Sequence, residues 1–103
     1  MAFQDRVRRF LGQYELRHAP ETHALDLVSE VGEVAKALLA ATDYGAVPPK
    51  ANEALEEELG DTFFALVALA ESLGVDLEAA LSAALCKYQD RLASKGHAGS
   101  GAA

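Results

Sequence analysis

Apolar side chains recur along this chain at steps of three and four, the spacing that gathers them on one face of an α-helix. Between Ala2 and Arg17 the set is Phe3, Val7, Phe10, Leu11 and Tyr14, which predicts a first helix. A second begins near Pro20-Glu21-Thr22, where a proline and an acid suit a first helical turn, and runs to about Ala41. Thr42 to Pro49 brings aspartate, glycine and two adjacent prolines, none of which extends a helix, and forms the main loop. A third helix runs from about Asn52 to Leu73, with Gly74 placed for a left-handed cap, and Asp76 can cap a fourth that carries Leu77, Leu81, Leu85, Tyr88 and Leu92 on one side. No segment alternates with period two between hairpin turns, so no strand is predicted.

The fold class that follows is all-α, of the four-helix-bundle type. In the third helix Leu55, Leu59, Thr62, Leu66, Leu69 and Leu73 form a seam suited to near-parallel packing. Phe63, Phe64, Val67 and Ala70 lie off that seam, so the second half of this helix is apolar nearly all round and calls for burial on several sides, in a central position or in a dimer. With 103 residues the chain makes one domain, expected over residues 1–95, and a Gly-, Ala- and Ser-rich stretch over 96–103 reads as a flexible tail.

Charge narrows the choice of partners. Sixteen acidic against nine basic residues give a net charge of −7, the wrong sign for a binder of nucleic-acid backbones. The longest apolar run, Phe63 to Ala70, has eight residues against the roughly 20 of a membrane span. A single cysteine, Cys86, makes no internal disulfide and reads as a small core residue. No apolar leader opens the chain, so a cytoplasmic location is expected.

The acids are concentrated. Residues 21–61 hold ten acids and only two bases, Lys36 and Lys50. Within them Glu30-Val31-Gly32-Glu33 and Glu58-Leu59-Gly60-Asp61 each set two carboxylates three residues apart on one helical face. Acidic runs are usually solvated faces, but Glu30 falls between Leu27 and Val34, and Glu58 between Leu55 and Thr62, at the edge of packing stripes. A carboxylate there needs a partner. Each pair also encloses a mid-helix glycine, which costs about 1 kcal/mol relative to alanine and points to a need for space.

Four carboxylates brought together repel one another, and two lysines cannot neutralise them; a hard divalent cation with oxygen ligands can. Magnesium fits best, with manganese possible. Zinc is disfavoured because His18, His23 and His97 are not spaced as a cluster, and a di-iron centre because Glu15-Leu16-Arg17-His18 is the lone Glu-x-x-His. On the fourth helix Lys87 and Arg91 stand four apart, placed to hold a polyphosphate or simply to face solvent near a helix C-terminus.

The run Leu27 to Leu38, with Glu-x-x-Glu, followed after a 24-residue spacer (Val34 to Glu57) by Glu58-Leu59-Gly60-Asp61-Thr62-Phe63-Phe64, resembles the MazG-type nucleoside triphosphate pyrophosphohydrolases. With its flanking helices the likeness covers residues 2–95. It implies an all-α bundle in which Glu30, Glu33, Glu58 and Asp61 bind Mg²⁺, Lys87 and Arg91 match the basic positions that receive phosphate, and the chain forms a homodimer or a dimer of dimers. Many members carry a second glutamate just before the first pair, where this chain has Ser29; Glu57 is the substitute candidate for general base. The expected reaction is Mg²⁺-dependent hydrolysis of a nucleoside or deoxynucleoside triphosphate to the monophosphate and pyrophosphate, with Phe3, Phe10 and Tyr14 packing in the core or stacking on the base. The alternative is a non-catalytic helical oligomerisation or adaptor module, whose acidic face meets a basic partner.

Overall fold

A computed structural model describes residues 2–99. It contains four helices, α1 (Ala2–Gln13), α2 (Pro20–Ala41), α3 (Glu53–Leu73) and α4 (Leu77–Lys95), and no strand among the described residues. The all-α class expected from the periodicity is therefore found.

Local chemistry sets most of the helix ends. Pro20 opens α2 at the first helical position. Asn52 caps α3 by accepting the Leu55 N–H at 2.9 Å, and Asp76 caps α4 by accepting from the N–H groups of Glu78 and Ala79. Gly74 closes α3 at φ 66°, in the left-handed region where a side chain would be strained. The first helix stops four residues before the expected Arg17. Leu16 donates its N–H to the Leu11 carbonyl at 2.9 Å, and Glu15 takes the left-handed position at φ 55° that glycine usually fills. A non-glycine terminator leaves no mark in the sequence.

The central helix is α3, with α2 packed along one side and α1 along another. Its buried residues are Leu55, Ala65, Val67, Ala68 and Ala70, so the core is mostly small side chains that let the helices approach closely. From the predicted seam only Leu55 is buried; Leu59 and Leu73 are more than half exposed. Phe3 and Phe10 of α1 meet Phe63 and Phe64 of α3 edge to face, with centroids 5.4 and 5.7 Å apart. Phe3 and Phe10 thus pack ring to ring on α3 at the surface of the single chain, 57% and 45% exposed, and not in its core.

A buried glutamine pins α1 to the α3–α4 turn. Gln4 donates from Nε2 to the Val75 carbonyl at 2.6 Å and accepts the Leu77 N–H on Oε1 at 3.0 Å. Arg8 adds an ion pair from the same helix to Glu71 at 2.9 Å.

Beyond that turn α4 stands off the rest of the chain and has no buried residue. Leu81, Leu85, Tyr88 and Leu92 are all exposed. Cys86, expected in the core, is exposed as well, because the helix that carries it has no neighbour to be buried against. The radius of gyration is 16.7 Å, against about 13 Å for a compact domain of this length. Residues 100–103 of the expected tail lie outside the described residues; before them, Arg91 donates to the carbonyl of Ala98.

Candidate functional site

Helices α2 and α3 run antiparallel, so that Glu30 lies beside Asp61 while His23, two turns earlier on α2, shares a cleft with Ala68. Carboxylate oxygens of Glu30, Glu58 and Asp61 all lie within 4.8 Å of one another. Glu58 and Asp61 reach this point because a three-residue step keeps them on one face of α3, and Glu30 meets them from the middle of α2. All three donors are hard oxygens, with no thiolate or imidazole in the set, which fits a divalent cation of the magnesium type better than zinc.

The electrostatics follow from the crowding. Glu58 is held above the ordinary glutamate range, first by its partial burial and then by the negative charges of Asp61, Glu33, Glu30 and Glu57. The thirty-third residue is felt there as charge, yet its side chain is exposed and is not among the three that converge. Glu57 is exposed on the neighbouring position of α3 and also stands outside the convergent set.

Lys87 and Arg91 stand apart from the three carboxylates, on the unpacked α4. They flank Tyr88, the Lys87 ammonium 4.9 Å and the Arg91 guanidinium 5.9 Å from its ring centroid.

A cleft of about 370 Å³ opens at Glu30 and Asp61 and runs between α1, α2 and α3. Phe64, Ala65 and Ala68 form its floor, while Leu16 and His18 of the α1–α2 loop and His23 of α2 form its wall. This size and this mix of apolar lining with a few polar groups suit a small organic ligand. No α4 residue lines it among the described residues. The sequence spacing of the histidines, which is not that of zinc ligands, does not mark them out. The available signal was helical: His23, Asp26 and Glu30 step by three and four along one face of α2, as Asp61, Ala65 and Ala68 do along α3.

Residues 18–94 match the MazG nucleotide pyrophosphohydrolase domain. The chain belongs to that family. Membership makes it a nucleoside triphosphate pyrophosphohydrolase, a hydrolase acting on phosphoric anhydrides, and decides against the adaptor alternative. Protein YpjD of Bacillus subtilis is 37% identical over 92 residues, covering 85% of this chain and 81% of that protein. The crystal structure of YPJD from Bacillus subtilis superposes with a TM-score of 0.70, covering 85% of this chain and 90% of the other. Human dCTP pyrophosphatase 1 is 42% identical over 72 residues, 66% of this MazG-family chain. The aligned part spans 42% of the length of that mammalian relative. No described helix is long and apolar enough to cross a membrane.

Proposed function

We propose that this chain hydrolyses a nucleoside or deoxynucleoside triphosphate to the monophosphate and pyrophosphate, using Mg²⁺, or Mn²⁺ in its place, held by Glu30, Glu33, Glu58 and Asp61. The observation that carries this reading is the convergence of Glu30, Glu58 and Asp61 across two helices at the mouth of a ligand-sized cleft. Like charges gathered so closely oppose the fold unless a cation joins them. When bound, the ion supplies positive charge to the phosphate oxygens and acidifies water for attack on phosphorus. Glu30, Glu58 and Asp61 hold it, Glu33 completes the donor set from the next turn of α2, and Glu57, beside the cluster, is the candidate to take a proton from the attacking water. The cleft floor of Phe64, Ala65 and Ala68 accepts the apolar face of the nucleoside.

Lys87 and Arg91 complete the reading only in an assembly. The exposed leucines of α4 and of the α3 seam, together with the extended shape of the single chain, favour a homodimer or dimer of dimers in which these bases meet phosphate. A lone exposed cysteine agrees with a reducing cytoplasmic setting.

The test is pyrophosphate release from a panel of NTPs and dNTPs with Mg²⁺ or Mn²⁺, and again with chelator. Since a relative is named dCTP pyrophosphatase 1, dCTP heads the panel. Release with metal and its loss with chelator are expected; silence across the whole panel refutes the proposal.

A further inference from the structure

His23 is only 5% exposed, on the first turns of α2. Leucine would fill its volume without the cost of desolvating an imidazole, so the ring nitrogens need a role. One is visible. His23 Nε2 accepts the backbone N–H of His18 at 3.2 Å, which requires a neutral ring with its proton on the other nitrogen.

The start of α2 explains why the bond is needed. Ala19 at the N-cap has no side-chain acceptor, and Pro20 brings no N–H. In a capping box, a glutamate three residues past the cap reaches back to a backbone N–H. Here His23, four past the cap, reaches back to the residue before it. The bond ties down the segment between α1 and α2, which carries Leu16, Arg17 and His18. His18 and His23, with ring centroids 5.7 Å apart, stand together in the wall of the cleft that ends at Glu30 and Asp61. They also line a neighbouring cleft toward Arg8 and Arg17, so both cavities share this partition.

We infer that His23 is a positioning residue for the substrate cleft: its unprotonated Nε2 fixes the His18 backbone and with it the wall against which the nucleotide rests. The inference rests on the proposed function of that cleft. Two substitutions separate the acceptor from its bulk. His23→Leu fills the space without an acceptor, whereas His23→Gln places an amide oxygen near the position of Nε2. In metal-free protein, hydrogen exchange at the His18 amide should quicken about five- to tenfold in His23→Leu, the effect of losing one net hydrogen bond, and return to the wild-type rate in His23→Gln. For the best nucleotide of the panel, KM should rise severalfold in His23→Leu with kcat within about twofold, and recover in His23→Gln. Should His23→Leu not fold, His23→Asn, whose oxygen falls at Nδ1 and short of His18, serves in its place. An exchange rate indifferent to the loss of the acceptor, equal damage in the glutamine variant, or an unmoved KM would overturn the role of His23. Exchange is read without substrate, so a wild-type protein that turned over no nucleotide would instead count against the function proposed for the cleft.

Discussion

Glu30 of α2 and Asp61 of α3 bring carboxylate oxygens within 4.8 Å of each other and of Glu58, although they belong to different acidic motifs. The cluster is a product of tertiary packing between two helices, and its mutual repulsion is part of the folded state. Asp61→Asn keeps the shape of the side chain and removes one charge. If Asp61 is a metal ligand as proposed, pyrophosphate release should fall at least as far as the roughly 10–100-fold lost with an outer-shell partner of a metal. The melting temperature of the metal-free protein should stay the same or rise slightly. Marked unfolding of metal-free Asp61→Asn would give Asp61 a structural role instead.

The raised pKa of Glu58 sets a pH dependence with a definite sign. A carboxyl that holds its proton more tightly folded than unfolded makes the native state bind more protons between the two pKa values, so stability falls as pH rises through that window. The window opens at the ordinary glutamate value of 4.5 and extends upward to the raised one. Metal-free wild type should therefore be less stable than Glu58→Gln at pH 7, and the gap should close as pH falls toward 4.5. If Glu58 holds Mg²⁺ as proposed, the order should reverse at neutral pH when the ion is added, because the charged carboxylate is the better ligand. Thermal melts of both proteins across pH, with and without metal, read this directly.

Local signals were legible and long-range ones were not. Pro20 and Gly74 mark helix ends through their backbone and Asn52 and Asp76 through side-chain oxygens, and the structure uses each of them. Glu15 ends α1 in a conformation that glutamate seldom adopts, so the true end at Gln13 left no trace in the sequence. The leucine seam of α3 shows which residues share a face but not which face receives α1 and α2. In the event the alanines took the core, and Leu59 and Leu73 stayed exposed. Glu30 and Glu58, which converge with Asp61, were legible because carboxylates on packing stripes are costly; Glu33, from the same motif as Glu30, stands outside the three. His18 and His23, which line the cleft, were not legible, since a backbone hydrogen bond and no ligand motif joins them.

Gly32 and Gly60 sit inside the two acidic pairs, and a methyl group added at either would meet nothing within 4 Å. Among the described residues, then, no neighbour requires them. Helix propensity alone predicts that Gly32→Ala and Gly60→Ala each stabilise the protein by about 1 kcal/mol, worth about 4–8 °C in melting temperature for a domain near this size. If the space serves the substrate or a second copy of the chain, pyrophosphate release should fall while stability rises. A pair of alanine variants that are both more stable and fully active would show that the open space serves neither.

Gln4 offers a test of how α4 is attached. The long, exposed helix makes little contact with the others, and its first turn is held by the same amide that pairs with Val75 and Leu77. Gln4→Ala removes both hydrogen bonds, to a Val75 and a Leu77 that water can partly reach, which costs about 1 kcal/mol for each net bond lost. Gln4→Glu keeps the acceptor for Leu77 but turns a carboxylate oxygen toward the Val75 carbonyl and buries a charge, so at neutral pH it should be no more stable than Gln4→Ala. Melting temperatures should put wild type above both variants. Hydrogen exchange should quicken first at the amides that open α4, since that helix has no buried side chain to hold it once the glutamine clasp is gone. An alanine variant as stable as wild type would mean that the turn after Gly74 keeps its shape without α1, leaving Asp76 as the group that starts α4.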